Sequence, residues 1–123
     1  MITSRHHTIA VLASALALGG AATASAHTEL KSTTPASGAT AKTTLTRVTA
    51  TFTGQLRSGT LRVVGPGGKV VSATGGGSDP RNPRRLLVGL KGSLKSGTYT
   101  ARWTVVAADG HKQKGSFTFK LRK

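Results

Sequence analysis

Two histidines and one aspartate stand out in this sequence because their chemistry and positions suit a metal ion. Of the four histidines in 123 residues, His111 belongs to the short motif Asp109-Gly110-His111. In an extended segment, residues i and i+2 point to the same face, so the carboxylate and the imidazole would converge on one point. The intervening glycine would let the backbone turn without a side chain in the way.

Residues 1–26 have the features of a secretory signal peptide. A polar start containing Arg5, His6 and His7 precedes an apolar stretch, and Ala24-Ser25-Ala26 has the pattern of a cleavage site. The apolar stretch is shorter than the roughly 18–20 residues that span a bilayer, which favours cleavage over membrane anchoring. The mature chain is therefore expected to be residues 27–123, without a transmembrane segment, secreted to the periplasm or the cell exterior.

Cleavage after Ala26 would make His27 the N-terminal residue. Its α-amine, with an ordinary pKa of about 7.7–8.0, and its imidazole Nδ1 could then close a six-membered chelate ring on a metal. With Asp109 and His111, the candidate ligands are an amine nitrogen, two imidazoles and a carboxylate. Such nitrogen-rich tetragonal sets suit Cu(II) and Ni(II), and the affinity order favours copper. Soft Cu(I) ligands are absent from residues 27–123, because there is no cysteine and the single methionine is Met1.

Each of these residues also has a simpler interpretation. A histidine in a β-domain is usually a surface residue, an aspartate often caps a turn, and a histidine can follow a cleavage site by chance. Taken together, these residues indicate a metal site more specifically. Of the two histidines in the mature chain, His27 lies at the cleavage point and His111 lies beside Asp109, one of only two aspartates. Glu29 lies two residues after His27 and is a candidate outer-shell partner. No nucleophile–base pair or general-acid pair is evident, so an enzyme is not predicted.

The charge balance is strongly basic, with 18 Lys and Arg against 3 acids and a formal net charge of +15. Loss of Arg5 with the signal peptide would leave +14. This charge fits either a polyanion binder or a solvated basic surface. No run of exposed aromatic residues accompanies it, so nucleic-acid binding is not expected, while weak contact with anionic envelope polymers stays open. The basic residues are spread over several predicted elements: Arg47, Arg62, Arg102, Lys120, Arg81, Arg84 and Arg85.

A metal site on such a basic surface would need concentrated donors and local negative charge, because the surface repels a divalent cation. Asp109 would supply that charge directly. Glu29 is close in sequence to His27, and Asp79 lies in a long predicted loop without an assigned role.

The elements that must position these residues are β-strands, because apolar and polar residues alternate and no helical periodicity is sustained. Lys69–Ala73 is expected to form a hairpin with the strand before it, and Thr74–Arg84 to be a loop. About seven short strands predict one domain, a β-sandwich or Greek-key barrel, with all five aromatic residues facing inward. The predicted strands lie near Glu29–Ser32, Leu45–Thr53, Leu61–Val64, Lys69–Ala73, Leu86–Leu90, Thr98–Val106 and Gly115–Leu121.

Three stretches of this chain carry a resemblance to a known family. They are the opening segment from His27 to Ala39, the strand Val48–Phe52, and the run from Gly97 through Asp109-Gly110-His111 to Phe119. In order and spacing they resemble the CopC-type copper-resistance proteins of the bacterial periplasm or cell exterior. The similarity covers essentially the whole of residues 27–123.

The resemblance implies a seven-stranded Greek-key β-sandwich, cupredoxin-like or immunoglobulin-like, that binds one Cu(II) per chain. It implies His27, through amine and imidazole, with Asp109 and His111 as ligands. It also implies a role in copper sequestration, homeostasis or resistance, or in delivery to a CopD-like membrane importer. The chain lacks the methionines of members with a Cu(I) site, so it resembles a Cu(II)-only member.

Two positions depart from the family pattern. Lys112 stands where the family often has proline, and Gln55 stands where an acidic residue often follows the strand that ends in phenylalanine. The second departure removes a candidate outer-shell carboxylate, which would weaken or retune the site.

Two other functions compete with copper storage and transfer. A histidine brace also occurs in lytic polysaccharide monooxygenases, so a copper oxidase or monooxygenase is the catalytic alternative. This chain is short, lacks spare surface aromatic residues, and has Asp109 at a coordination position. The other alternative is a cationic cell-envelope-binding module in which the histidines are incidental.

Overall fold

The computed structural model of this protein describes residues 28–123. The predicted signal peptide, residues 1–26, and the candidate ligand His27 lie outside the described residues. Within residues 28–123, no helix is long and apolar enough to cross a membrane.

Residues 28–123 form two four-stranded sheets. One sheet has the order β1-β3-β6-β5 and the other β2-β8-β7-β4, and β2 with β8 is a parallel pair. The predicted all-β sandwich is therefore confirmed, with eight strands in the described part of the chain. The strands are β1 (Leu30–Thr34), β2 (Thr40–Lys42), β3 (Arg47–Phe52), β4 (Leu56–Val64), β5 (Gly77–Asp79), β6 (Asn82–Gly89), β7 (Gly97–Ala107) and β8 (Lys112–Arg122).

The core lies between the sheets and follows the alternation of the sequence. In β7, Tyr99, Ala101, Trp103 and Val105 are buried on the inner face, as predicted. All five aromatic residues are buried, and the rings of Phe52 and Trp103 meet edge to face with centroids 5.0 Å apart. Such a pair contributes about 0.5–1.5 kcal/mol beyond the area it buries. The outward positions predicted for basic side chains are also confirmed, since these residues are exposed: Arg47, Arg62, Arg102 and Lys120.

The prediction of a hairpin at Lys69–Ala73 is correct only at its start. The N–H of Gly65 donates to the Lys69 carbonyl (2.8 Å) and the N–H of Val71 to the Val63 carbonyl (2.9 Å), but no strand forms over these residues. This segment makes only isolated bridges, from Val70 to Val64 of β4 and from Ser72 to Leu90 beyond β6. It crosses from one sheet to the other, so neither sheet pairs with it over several residues. The Ser72 hydroxyl accepts a hydrogen bond from the backbone N–H of Val63 (3.0 Å), in place of a main-chain partner.

The predicted loop Thr74–Arg84 is also wrong in part, because it contains β5 and the start of β6. Gly77 pairs with Leu87 and Ser78 with Leu86, so the backbone of β6 supplies hydrogen bonds to a segment of low strand propensity. The three-residue β2, Thr40–Lys42, is too short for an alternation pattern and forms through its parallel pairing with β8. Tertiary pairing therefore decides both short strands.

Candidate metal centre

The motif Asp109-Gly110-His111 lies in the turn that joins β7 to β8. The backbone N–H of Gly110 donates to the carbonyl of Ala107, and the N–H of Ala107 donates to the carbonyl of His111, both at 2.9 Å. Gly110 has φ of +89°, a value that glycine adopts without the steric cost of a side chain. The motif is thus part of a tight hairpin turn rather than the extended segment that the sequence suggested.

The turn brings the Asp109 and His111 side chains together, as predicted. Oδ1 of Asp109 accepts a hydrogen bond from the backbone N–H of His111 at 3.0 Å, and Oδ2 lies 2.8 Å from the ring Nδ1. The first contact is the aspartate-to-backbone bond typical of turns, and the second orients the imidazole. Both side chains reach solvent, with 39% of the Asp109 side chain and 67% of the His111 side chain exposed.

The Asp109 carboxylate is favoured in its ionised form. The backbone N–H of His111, followed by the imidazole hydrogen bond, holds the pKa of Asp109 below its ordinary value of 3.8. At neutral pH the turn therefore presents a carboxylate anion and an imidazole side by side on an accessible surface.

The separation of Oδ2 and Nδ1 also suits a metal ion. Imidazole nitrogen and carboxylate oxygen bind divalent metals at about 2.0 Å, as they do zinc. Two such ligands at a right angle lie about 2.8 Å apart, which matches the observed distance. A tetragonal cation bound to both atoms would replace the shared proton, and the imidazole would turn so that Nδ1 points at the metal and not at Oδ2.

The beginning of the described chain is tied to the loop between β3 and β4. Glu29 and Thr53 are linked twice, because the N–H of Thr53 donates to the Glu29 carbonyl (2.8 Å) and the N–H of Glu29 donates to the Thr53 side-chain hydroxyl (2.9 Å). Thr28 is buried, and its Oγ1 would lie 2.6 Å from a Cβ built on Gly54. Any side chain at position 54 would therefore displace Thr28.

The same loop contacts the turn that carries the Asp109–His111 pair. The backbone N–H of Ala108 donates to the carbonyl of Gln55 at 3.1 Å. The β3–β4 loop thus joins Thr28, next to the candidate ligand His27, to the turn of Asp109 and His111. Within residues 28–123 there is no cluster of three His, Cys, Asp or Glu side chains, so Glu29 does not complete a site with Asp109 and His111 there.

Arg57 lies near the turn, although nothing in the sequence pattern predicts this position. The Nη1 atom of Arg57 lies 3.8 Å from the position that a Cβ on Gly110 would occupy. Arg57 reaches the turn because β4 is irregular between Leu56, which pairs with Ala107, and Ser58, which pairs with Val106. Strand register sets this approach, so composition and spacing could not indicate it.

Asp79, which had no role in the sequence analysis, is a structural residue. Its side chain is buried at the end of β5, and its Oδ2 accepts a hydrogen bond from the Nε of Arg85 at 2.9 Å. Its Oδ1 accepts one from the backbone N–H of Arg81, also at 2.9 Å. Asp79 therefore stabilises the turn between β5 and β6 and is not part of the candidate metal site at Asp109 and His111.

Comparison with known proteins agrees with this fold. Protein YobA of Escherichia coli (strain K12) is 32% identical over 99 residues, which cover 79% of this chain and 80% of that protein. Protein YobA of Shigella flexneri matches with the same figures.

Two solved structures have the same fold. PcoC, a methionine-rich copper resistance protein from Escherichia coli, aligns with a TM-score of 0.66 and 25% identity over 79% of this chain and 100% of its own. CopC from Methylosinus trichosporium OB3b aligns with a TM-score of 0.65 and 22% identity over 77% and 93% of the two chains.

Residues 30–122 match the family defined by the CopC domain. This stretch includes every strand of both sheets and the turn of Asp109 and His111. The resemblance seen in the sequence is thereby confirmed, and the chain belongs to the CopC domain family.

Proposed function

We propose that this protein is exported and binds one Cu(II) ion through His27, Asp109 and His111. The observation that carries the proposal is the 2.8 Å separation of the Asp109 Oδ2 and His111 Nδ1 atoms on an accessible turn. Copper is the cargo of the protein and not a resident catalytic group. Sequestration, or transfer to a CopD-like importer in the membrane, is the role that such cargo binding serves.

The donor chemistry favours Cu(II) over other divalent ions. Imidazole and amine nitrogens with one carboxylate suit a tetragonal ion, and the affinity order of divalent metals peaks at copper. The relative PcoC is a copper resistance protein, which agrees with copper as the cargo here. Residues 27–123 contain neither cysteine nor methionine, so Cu(I) has no soft ligands in that part of the chain.

Connections within the described chain support His27 as the third ligand residue. Consecutive Cα atoms lie about 3.8 Å apart across a trans peptide, so position 27 must be close to Thr28. Thr28 lies against Gly54, and the neighbouring Gln55 binds the backbone of Ala108 in the metal-binding turn. Glu29 follows closely and has an exposed side chain, which keeps it a candidate for the outer shell.

Removal of residues 1–26 is an essential part of the proposal. The N atom of His27 is an amide while residue 26 is attached, and an amide nitrogen does not offer the lone pair of an amine. Export to the periplasm or cell exterior, with cleavage after Ala26, would create the amine–imidazole chelate. Copper binding would then begin only after the protein has left the cytoplasm.

The test is a Cu(II) titration of protein that begins at His27, followed by electron paramagnetic resonance. We expect one equivalent of Cu(II) with hyperfine coupling to several nitrogens. A matched chain acetylated at the His27 amine keeps every side chain but blocks the amine, and it should bind much more weakly. Equal affinity in the two chains would exclude the chelate, and absence of a nitrogen-coupled signal would exclude the site.

A further inference from the structure

We propose that the outer face of the β1-β3-β6-β5 sheet carries a binding site for a dianionic phosphate group, formed by Arg47, Arg81 and Arg85. The site is a cavity of about 580 Å³ on a surface remote from the inter-sheet core. The site contains none of the proposed copper ligands, so the phosphate proposal does not depend on the copper proposal.

Strand register places the cavity on the outer face of the sheet. Thr49 pairs with Thr34 of β1 on one side and with Leu87 of β6 on the other, so these three residues form one row across three strands. The neighbours of Thr49 in β3, Val48 and Ala50, are fully buried in the core. The row of Thr34, Thr49 and Leu87 therefore faces away from the core and forms the floor of the cavity.

Three guanidinium groups line this floor. Arg47 is the first residue of β3, Arg81 lies in the turn between β5 and β6, and Arg85 lies in β6 opposite Thr51. The single acid among the lining residues is Asp79, so the formal charge of the cavity is +2. Four other well-formed cavities among residues 28–123 have lysines but no arginine in their lining.

The buried carboxylate of Asp79 holds two parts of the site in place. Only 5% of the Asp79 side chain is exposed, and its two oxygens accept hydrogen bonds from the Arg81 backbone and the Arg85 Nε. These bonds orient the Arg85 side chain and fix the turn that carries Arg81. Asp79 thus orients the side chain of Arg85 and holds the backbone of Arg81, which lowers the entropic cost of binding an anion.

Most of the donor capacity of the arginines remains available. The Nε of Arg85 donates to Asp79. Within residues 28–123, the terminal amino groups of Arg47, Arg81 and Arg85 donate no hydrogen bond to protein. Each guanidinium has five N–H donors in a planar fork that matches the oxygens of phosphate or carboxylate. The hydroxyls of Thr34 and Thr49 add two further donors at the floor.

Charge and volume favour a phosphate monoester over a carboxylate. A phosphate monoester carries about −1.5 to −2 at pH 7, which balances a charge of +2, whereas a carboxylate carries −1. The volume lies within the range of about 300–1,000 Å³ that is usual for small-molecule sites and exceeds what a phosphate alone requires. Leu87 and Pro80 offer apolar surface to the remainder of a phosphate ester.

The decisive experiment is a titration of the full chain, as its host processes it and freed of metal, with inorganic phosphate and with glycerol 1-phosphate. Nuclear magnetic resonance should show saturable shifts of the amides of Arg47, Thr49, Arg81 and Leu87, and sulfate at equal ionic strength should compete. Acetate at the same ionic strength should not saturate these shifts. Shifts spread evenly over the basic surface would refute a defined site and assign the effect to general charge.

A pair of double variants separates the site from the overall charge. Arg47→Ala/Arg81→Ala should lower phosphate affinity at least about tenfold, because two of the three guanidinium groups are lost. Arg62→Ala/Arg102→Ala removes the same charge from the opposite sheet and should leave the affinity within about twofold. Equal losses in the two double variants would overturn the proposal, and the amide shifts of the unmodified chain decide the question if a variant does not fold.

Two sources of the phosphate group can be distinguished with vesicles. Phosphatidic acid presents a phosphate monoester on a membrane, and phosphatidylcholine vesicles serve as the control. Binding to phosphatidic acid that glycerol 1-phosphate displaces would identify a lipid headgroup as one ligand. Binding of glycerol 1-phosphate without vesicle binding would assign the site to a free phosphate ester, and binding of neither would exclude the site.

Discussion

The Asp109 carboxylate holds His111 by two contacts within one turn, at 3.0 Å to the backbone N–H and at 2.8 Å to the ring Nδ1. One oxygen therefore fixes the backbone of the turn, and the other fixes the direction of the imidazole. The pair is oriented before any metal arrives, which reduces the entropic cost of binding.

The first prediction separates the two members of this pair. His111→Ala removes a ligand nitrogen and should lower Cu(II) affinity by more than about 100-fold, while Asp109→Asn should lower it about 10–100-fold. Asparagine can still accept the backbone hydrogen bond of His111 through its side-chain oxygen, so the turn should survive. Competition titrations against a chelator of known affinity, together with circular dichroism as a folding check, provide the measurement. Wild-type affinity in both variants would contradict the site.

The second prediction concerns Gln55, whose carbonyl accepts the 3.1 Å hydrogen bond from Ala108. Gln55→Glu adds an exposed carboxylate on the loop that contacts the metal-binding turn, so Cu(II) affinity should rise by a few-fold to about tenfold. Asn82→Asp is the matched control, because it makes the same amide-to-carboxylate change in β6. If both variants gain affinity equally, the effect is one of net charge and not of the Gln55 position.

The charge of Arg57 provides a third prediction. Its guanidinium approaches Gly110, the residue between the two proposed ligands, so the turn that would hold Cu(II) has a positive charge near it. Arg57→Gln should raise Cu(II) affinity a few-fold at low ionic strength, and the gain should shrink as salt screens the repulsion. Arg62→Gln, further along β4, is the control and should have a smaller effect. A lower affinity after Arg57→Gln would show that this residue supports the turn instead.

The acid stability of the fold should depend on Asp79. The pKa of Asp79 lies below its ordinary value of 3.8, chiefly because the Arg81 backbone N–H donates to its carboxylate and also because Arg85 does, while desolvation opposes the shift. A carboxyl whose pKa is lower in the folded than in the unfolded protein contributes its full stabilisation when the pH is above the pKa of the unfolded chain. The stabilisation is lost as the pH falls through the pKa of the folded protein.

Asp79→Asn should therefore lower the melting temperature at pH 7, and the difference from wild type should shrink as the pH falls below about 4. Thermal unfolding followed by circular dichroism from pH 7 to pH 2 measures both effects. Glu29→Gln removes an exposed acid and should retain the acid dependence of the wild type. A difference that stays constant across this pH range would show that the charge of Asp79 is not responsible.

A fifth prediction tests the contact between the strands that flank the turn of Asp109 and His111. A Cβ on Gly115 of β8 would lie 2.7 Å from Cε2 of Trp103, its partner in β7. The indole also meets the ring of Phe52 edge to face, so a shift of the indole would disturb the core. Gly115→Ala should therefore destabilise the domain by about 1–3 kcal/mol.

Urea unfolding followed by Trp103 fluorescence measures this change, since the chain has a single tryptophan. Gly92→Ala is the control, because a Cβ there meets no atom within 4 Å. Gly92→Ala should be neutral or slightly stabilising, since alanine restricts the unfolded chain more than glycine does. An equal loss of stability in the two variants would contradict the Trp103 contact as the cause.

The amino-acid sequence determined the features that depend on near neighbours in the chain. Alternation along β7 placed Tyr99 and Trp103 in the core, since successive side chains of a strand point to opposite faces. Asp109 and His111 meet because they are separated only by Gly110 within one turn. Their contact therefore does not depend on the rest of the fold. The sandwich class followed from the same alternation, because strands with one apolar face must bury it against another sheet.

Tertiary structure alone decided which distant residues meet. Sheet order and register bring Asp79 to Arg85, Gln55 to Ala108 and Arg57 to Gly110, and no local pattern encodes these pairs. The same holds for β2 and β5, whose short sequences form strands only because β8 and β6 offer backbone partners. Long-range pairing depends on the packing of the whole domain, whereas alternation and turn geometry act within a few residues.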